Sequence, residues 1–280
     1  MIQELRRVAA VHDISGYGKC ALTVAIPVLS AAGVEVYPLP TAVLSANTLF
    51  PGFTFLDYTP HMQAHLEHWK RLGLQFDSVY SGFLGSVEQI GYVRRMIQEF
   101  CIGIAVVDPV MGDNGVLISV YDQKMCSAMK DLVAAADYVT PNVTEACLLT
   151  DRPYPGPSLS TEQAQAMCRQ VADLGCPNVV LTGVQRDGRL YNCGLERGTN
   201  YFELGIDLLP FTQHGTGDLF TSTLTAALVR GYTLAEAVDS AAKFVYLCMD
   251  QGRHIPEVFD RGVAFEPHLY HLRSGVYTED

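Results

Sequence analysis

The chain is short of positive charge: 19 lysines and arginines stand against 30 aspartates and glutamates, a formal charge of -11. That balance repels phosphate backbones and anionic lipid, so unassisted nucleic-acid or membrane binding is excluded as a reading. A nucleotide site stays open, because it needs only a local positive field and neutralising metal ions. No C-x-x-C pair occurs among the eight scattered cysteines, and no signal peptide is recognisable, since the apolar run after Arg6-Arg7 stops at His12-Asp13. The expectation is a cytoplasmic protein with reduced, mostly buried cysteines. The longest uncharged apolar stretch, Cys20 to Val34, contains Pro27 and Gly33 and is too short to span a bilayer. Without a route to secretion, the sequon Asn142-Val143-Thr144 reads as accidental.

Several familiar motifs are incomplete. Gly18-Lys19 has the end of a P-loop, but Asp13 occupies the required first glycine and Cys20 replaces the Ser/Thr. Gly16 and Gly18 flank Tyr17 without the third glycine of a dinucleotide fingerprint, and no G-x-S-x-G elbow is present. His61, His65 and His68 share a helical face, yet no carboxylate or cysteine completes a metal set, so a solvated face is expected.

What is present is an apolar chain, 49% hydrophobic and 18% charged, with no internal repeat and enough material for one α/β domain over 1–280. Short β-branched runs alternate with amphipathic stretches, the pattern of a parallel sheet with crossover helices. The runs Val8–His12, Val34–Pro38, Ser78–Ser81, Ile104–Val107, Tyr138–Thr140 and Val179–Thr182 are expected as strands. Helices are expected near 19–32, 60–72, 86–99, 122–135, 143–149, 161–174, 217–230 and 234–250. Gly188 to Gly205 reads as a hairpin around Glu196-Arg197-Gly198, and the aromatic, turn-rich stretch 41–58 as a flap near a pocket.

Ligand sites in such sheets lie at the carboxyl ends of parallel strands. Asp13, Ser81-Gly82, Asp108-Pro109, Pro141-Asn142 and Thr182-Gly183 fall there. Gly215-Thr216-Gly217-Asp218 opens a helical run. Its glycines let backbone amides converge on an anion, and a carboxylate beside them can take a proton from an attacking hydroxyl. An ordinary glycine turn with Asp218 as a cap is the plainer alternative. Asp108 and Asp113, six positions apart inclusive, suit Mg²⁺ beside triphosphate oxygens, or simply end a strand in solvated acids. Asn142 and Glu145 enter the next helix, where they cap its first turn or reach metal-bound water.

Taken in order, Ser81–Ser86, Asp108–Asp113, Thr140-Pro141-Asn142 with Glu145, and Gly215–Asp218 resemble the ribokinase-like superfamily, and specifically its pyridoxal kinase branch, over about Val8 to Gly252. The resemblance implies a three-layer α/β/α sandwich and phosphorylation of the 5′-hydroxymethyl group of pyridoxal, pyridoxine or pyridoxamine by ATP. It implies Asp218 as general base, with the amides of Gly215, Thr216 and Gly217 as an anion hole. Asp108, Asp113, Asn142 and Glu145 would surround Mg²⁺ and the phosphates. Thr140 with Asp108 would lie near a monovalent cation such as K⁺, and Thr182 and Gly183 near the nucleotide. The family is usually homodimeric.

On the substrate side, Tyr17-Gly18 and Thr48 match the pyridoxal branch, while Phe83 stands where many members have tyrosine. Asp13-Ile14 replaces a Ser-His pair and is reminiscent of hydroxymethylpyrimidine kinases; an aspartate there would pair with a protonated ring nitrogen or a ring hydroxyl. A hydroxymethylpyrimidine or dual-specificity kinase is therefore the nearest alternative, and a non-catalytic vitamer-binding protein a third. Sugar kinases of the superfamily fit less well, because residues 38–48 lack their Gly-Gly pair.

Overall fold

The computed structural model describes residues 5–255 and 261–278. The β-branched runs form β1 (Arg6–Ser15), β2 (Val34–Leu44), β4 (Phe76–Ser81), β5 (Cys101–Val107), β8 (Tyr138–Val139) and β9 (Asn178–Arg186). These six pair in parallel, in the order β9-β8-β5-β4-β1-β2. Antiparallel strands finish both ends: β10 (Arg189–Glu196) and β11 (Asn200–Asp207) beyond β9, and β3 (Phe55–Asp57) beyond β2. A separate small hairpin joins β6 (Gly112–Asp113) to β7 (Val116–Leu117).

Central strands are buried on both faces, which is why Val8–Val11 and Ala105–Val107 read as unbroken apolar runs. Alternate side chains then sort into two cores. Ala9, Val11, Val79 and Val107 pack beneath α2 (Thr59–Arg71), α3 (Val87–Phe100), α4 (Gln123–Val133), α5 (Val143–Leu149) and α6 (Thr161–Ala172). Val8, Tyr80 and Val106 face α1 (Leu22–Ala31), α7 (Thr216–Val229) and α8 (Leu234–Gly252). The result is the expected helix–sheet–helix sandwich. A 3-10 segment, Glu266–Leu272, packs beside α1.

Three local expectations change. Part of the stretch 41–58 is sheet: β2 runs on to Leu44 and pairs with β3, and residues 45–54 form the loop that connects them. Helix α1 begins at Leu22 instead of near 19, because Ala21 sits at φ 51°, ψ -131° and cannot continue a helix. Asp13, expected in the loop after the first strand, lies inside β1, where a register shift between His12 and Ile14 re-aims the chain. The hairpin around Glu196–Gly198 forms as expected. His61 and His68 are exposed, and His65 meets the Tyr58 hydroxyl at 3.3 Å.

Candidate active site

The carboxyl edge of the parallel strands gathers several acids. Asp13 is 7% exposed and accepts a hydrogen bond from Ser15 Oγ at 3.0 Å. Burial raises its pKa, and that hydrogen bond only partly offsets the rise. Asp108, also 7% exposed, accepts from Thr221 Oγ1 at 3.3 Å. Burial and the charge of Asp218 push it well above the usual carboxylate range.

Asp218 stands in the first turn of α7, within the field of both Asp13 and Asp108. Burial pushes its carboxyl up to about 7; the nearby Ala21 backbone N–H offsets part of the rise, and Asp13 adds repulsion. It keeps some exposure to the cleft, so it remains reachable by a ligand.

Glycine explains the shape of the α7 start. Gly215 is the N-cap at φ 81°, and a Cβ there would lie 2.3 Å from the Lys19 carbonyl oxygen. Helices α3, α4, α5, α6 and α8 have side-chain caps; α7 has none. Its first amides, Thr216 and Gly217, therefore have no intrahelical acceptor. A Cβ on Gly217 would meet nothing within 4 Å, so open space lies above those amides. The end of the helix is a ready anion site with a carboxylate beside it.

Threonines on α7 show how the neighbouring acid is held. Thr223 and Thr225 bond back to the carbonyls of Leu219 and Thr221. Thr221 turns away and joins Asp108 to Thr140, whose Oγ1 lies 3.1 Å from its own. Asp108 and Thr140 are thus brought together, as the sequence suggested, through a residue that no motif flagged.

On the neighbouring strand ends, Asn142 and Glu145 form a reciprocal capping box on α5. Glu145 accepts from Asn142 N at 2.8 Å and Met111 N at 3.2 Å, and Asn142 Nδ2 donates to the Gly112 carbonyl at 2.9 Å. Both side chains brace the 108–113 loop. Asp113 is exposed and accepts from Asn114 N and Nδ2, each at 2.9 Å. Thr182 N donates to the Pro141 carbonyl, and Gly183, at φ 76°, opens onto space that a Cβ would leave untouched.

Among the described residues no three His, Cys, Asp or Glu side chains converge as a metal cage. This donor set suits Mg²⁺, which keeps waters and takes oxygens from phosphates with only one or two carboxylates. Asp108, with one oxygen bonded to Thr221, fits that part.

The residues expected on the substrate side are Tyr17, Thr48 and Phe83. Tyr17 is 46% exposed and meets Phe50 edge-on at 4.9 Å, while its carbonyl accepts from Asn47 N at 2.8 Å. Thr48 is exposed at the hairpin tip, and Phe83 is partly buried with its carbonyl bonded to Thr41 Oγ1. Sequence reasoning missed Gln89. This buried amide ties the Gly85 N–H to Thr41 and Thr59, joining the strand-end loop to the hairpin. It missed His12 as well, a fully buried ring 4.3 Å from Tyr80 that a Cβ on Gly82 would strike at 2.2 Å.

An uncapped helix start beside a raised carboxyl, at the carboxyl edge of this sheet and together with the similarities that follow, defines an ATP-dependent small-molecule kinase of the ribokinase-like kind. The chain belongs to the phosphomethylpyrimidine kinase family, which matches it over residues 16–259. A pyridoxine/pyridoxal/pyridoxamine kinase of Bordetella avium is 30% identical over 258 residues, covering 85% of this chain and 82% of its own. A hydroxymethylpyrimidine/phosphomethylpyrimidine kinase of Haemophilus influenzae is 31% identical, covering 73% and 76%. A solved structure from Bacteroides thetaiotaomicron, provisionally described as a phosphomethylpyrimidine kinase and crystallised with pyridoxal, is 37% identical with a TM-score of 0.91. That likeness covers 99% of this chain and 98% of the other.

Proposed function

We propose that the enzyme phosphorylates the 5′-hydroxymethyl group of a B6 vitamer, with ATP as donor and Asp218 as general base. The observation that carries this reading is Asp218 at the uncapped start of α7, its carboxyl raised to about 7. A base with that value is poised to take a proton near neutral pH. The substrate oxygen attacks the γ-phosphorus as its proton passes to Asp218. The bond from the γ-phosphorus to the β–γ bridging oxygen breaks, and ADP leaves. The Thr216 and Gly217 amides, with Gly215 shaping the turn, hold the transferring phosphoryl oxygens. Mg²⁺ bound with the nucleotide would neutralise triphosphate charge, held by Asp108 and, through water, by Asp113 and Glu145. Thr140, beside Asp108 through Thr221, suits a monovalent cation such as K⁺.

Asp13 supports a nitrogen heterocycle as the acceptor. A buried acid facing other acids favours a ligand that brings a ring N–H or a ring hydroxyl. The pyridoxal in the Bacteroides structure supports a pyridine, with Phe83 offering a ring face. A hydroxymethylpyrimidine would satisfy the same aspartate, and the Haemophilus relative supports that second reading.

Incubation with Mg-ATP and a panel of vitamers and hydroxymethylpyrimidine, with products detected by mass, separates the two. Phosphorylated pyrimidine alone would overturn the vitamer reading. Intact binding without any product would indicate a binding protein. Asp218→Asn is expected to lower turnover roughly 10²–10⁴-fold with ATP binding retained; near-normal turnover would remove Asp218 as base.

A further inference from the structure

The start of α7 is held from outside by a segment that belongs to neither the sheet edge nor the catalytic helix. Lys19 N donates to the Arg261 carbonyl at 2.8 Å, and Val263 N donates to the His214 carbonyl at 3.0 Å. One short stretch of chain therefore grips the loop before α1 and the turn before α7 together. Gly262 lies between the two grips at φ 92°; a Cβ there would come within 3.0 Å of His214 O and 3.2 Å of Lys19 O. Lys19 O in turn presses on Gly215, where a Cβ would lie 2.3 Å from it, and it crowds Gly262 on its other side.

Side chains close the contact. Lys19 Nζ reaches Glu266 Oε2 at 2.6 Å and sits 5.3 Å from the ring centre of Phe265. Phe265 and Val263 are buried in the α1/α7/α8 core. Two residues beyond Lys19, Ala21 holds a positive-φ backbone that an alanine adopts only under constraint, and its N–H lies close enough to Asp218 to favour the carboxylate.

We propose that Arg261–Glu266 is a positioning strap. Through Lys19 it sets where the Ala21 N–H meets Asp218 and how Gly215–Gly217 face the transferred group. Lys19 and Gly262 are positioning residues in this scheme, and the scheme rests on Asp218 being the base. Glu266 is 52% exposed, so the Lys19 side-chain contacts carry a smaller share of the effect than the backbone grips.

Two variants test it in the full chain, each compared with Asp218→Asn. Gly262→Ala should lower kcat about 10-fold, since small displacements of reacting groups are costly, while KM for ATP stays within about twofold. Its unfolding should remain a single transition. Lys19→Met should lower kcat about threefold, and Lys19→Arg should restore it. Wild-type kcat in both Gly262→Ala and Lys19→Met would overturn the strap, as would losses in which KM for both substrates rises in step with kcat falling. If Gly262→Ala does not fold, the Met/Arg pair at position 19 decides alone. An inactive Asp218→Asn beside fully active strap variants sinks the strap only; an active Asp218→Asn sinks the base and the strap together.

Discussion

At the scale of the residue, the site turns on which hydroxyl is free to look outward. Three threonines lie in the buried length of α7, and two spend their hydroxyls on carbonyls of their own helix. Thr221 alone of the three couples to Asp108 and Thr140. Thr221→Val keeps the volume and removes the donor, leaving a buried carboxylate without it. A hydrogen bond to a charged group contributes about 1.5–3 kcal/mol, so the cation requirement should rise about tenfold or more. Titration of Mg²⁺ and K⁺ against initial rate reads this directly. Thr223→Val serves as control and should change turnover less than about twofold, because its hydroxyl only bonds back along the helix. Equal effects of the two changes would remove Thr221 from the cation network.

At the scale of the element, the β2–β3 hairpin and the strand-end loop after β4 move as one unit only if Gln89 joins them. Its amide bonds Gly85, Thr41 and Thr59, all within 3 Å. Gln89→Leu fills the space but leaves the Gly85 N–H unpaired, a cost of about 1–3 kcal/mol where water cannot enter, while the Thr59 hydroxyl keeps its bond to Asp57. KM for the phosphate-accepting substrate should rise several-fold, with KM for ATP unchanged, because the residues proposed for the nucleotide lie at other strand ends. Limited proteolysis should cut the 45–54 tip sooner than in the native chain. An unchanged KM for that substrate would show that the hairpin holds its place without this amide.

At the scale of the whole molecule, buried acids make stability depend on pH. Asp218 and Asp108 keep their protons to higher pH in the folded chain than when unfolded. Above the unfolded carboxylate value near 4, the folded state therefore binds more protons, and stability falls as pH rises. His12 works the other way: burial lowers it to about 3, so below its ordinary 6.5 the folded state binds fewer protons and stability falls on acidification. From pH 6.5 to 8 the acids outweigh His12, whose unfolded imidazole is only half protonated at 6.5 and neutral by 8. The ligand-free protein should melt at a higher temperature at pH 6.5 than at pH 8, and Asp218→Asn should narrow the difference. A difference undiminished in that variant would locate the effect elsewhere.

Much of this organisation was legible in the chain itself. Apolar runs buried on both faces have no choice but a covered parallel sheet, so strands and crossover helices followed from local pattern. Asp108, Asn142, Gly183 and the glycines before Asp218 could be found because strand ends and helix starts recur at readable spacings. The hairpin edge β3 was not legible, since three exposed residues form a strand only when β2 is there to pair with them. Nor were Thr221, Gln89, Ala21 or the Lys19 contact with Gly262, whose partners lie 30 to 240 residues away in the chain. Sequence pattern determines which face of each element is apolar and where its backbone turns. Only the folded chain decides which hydroxyl meets which acid, because burial and distant neighbours raise the Asp218 carboxyl from its ordinary value to about 7.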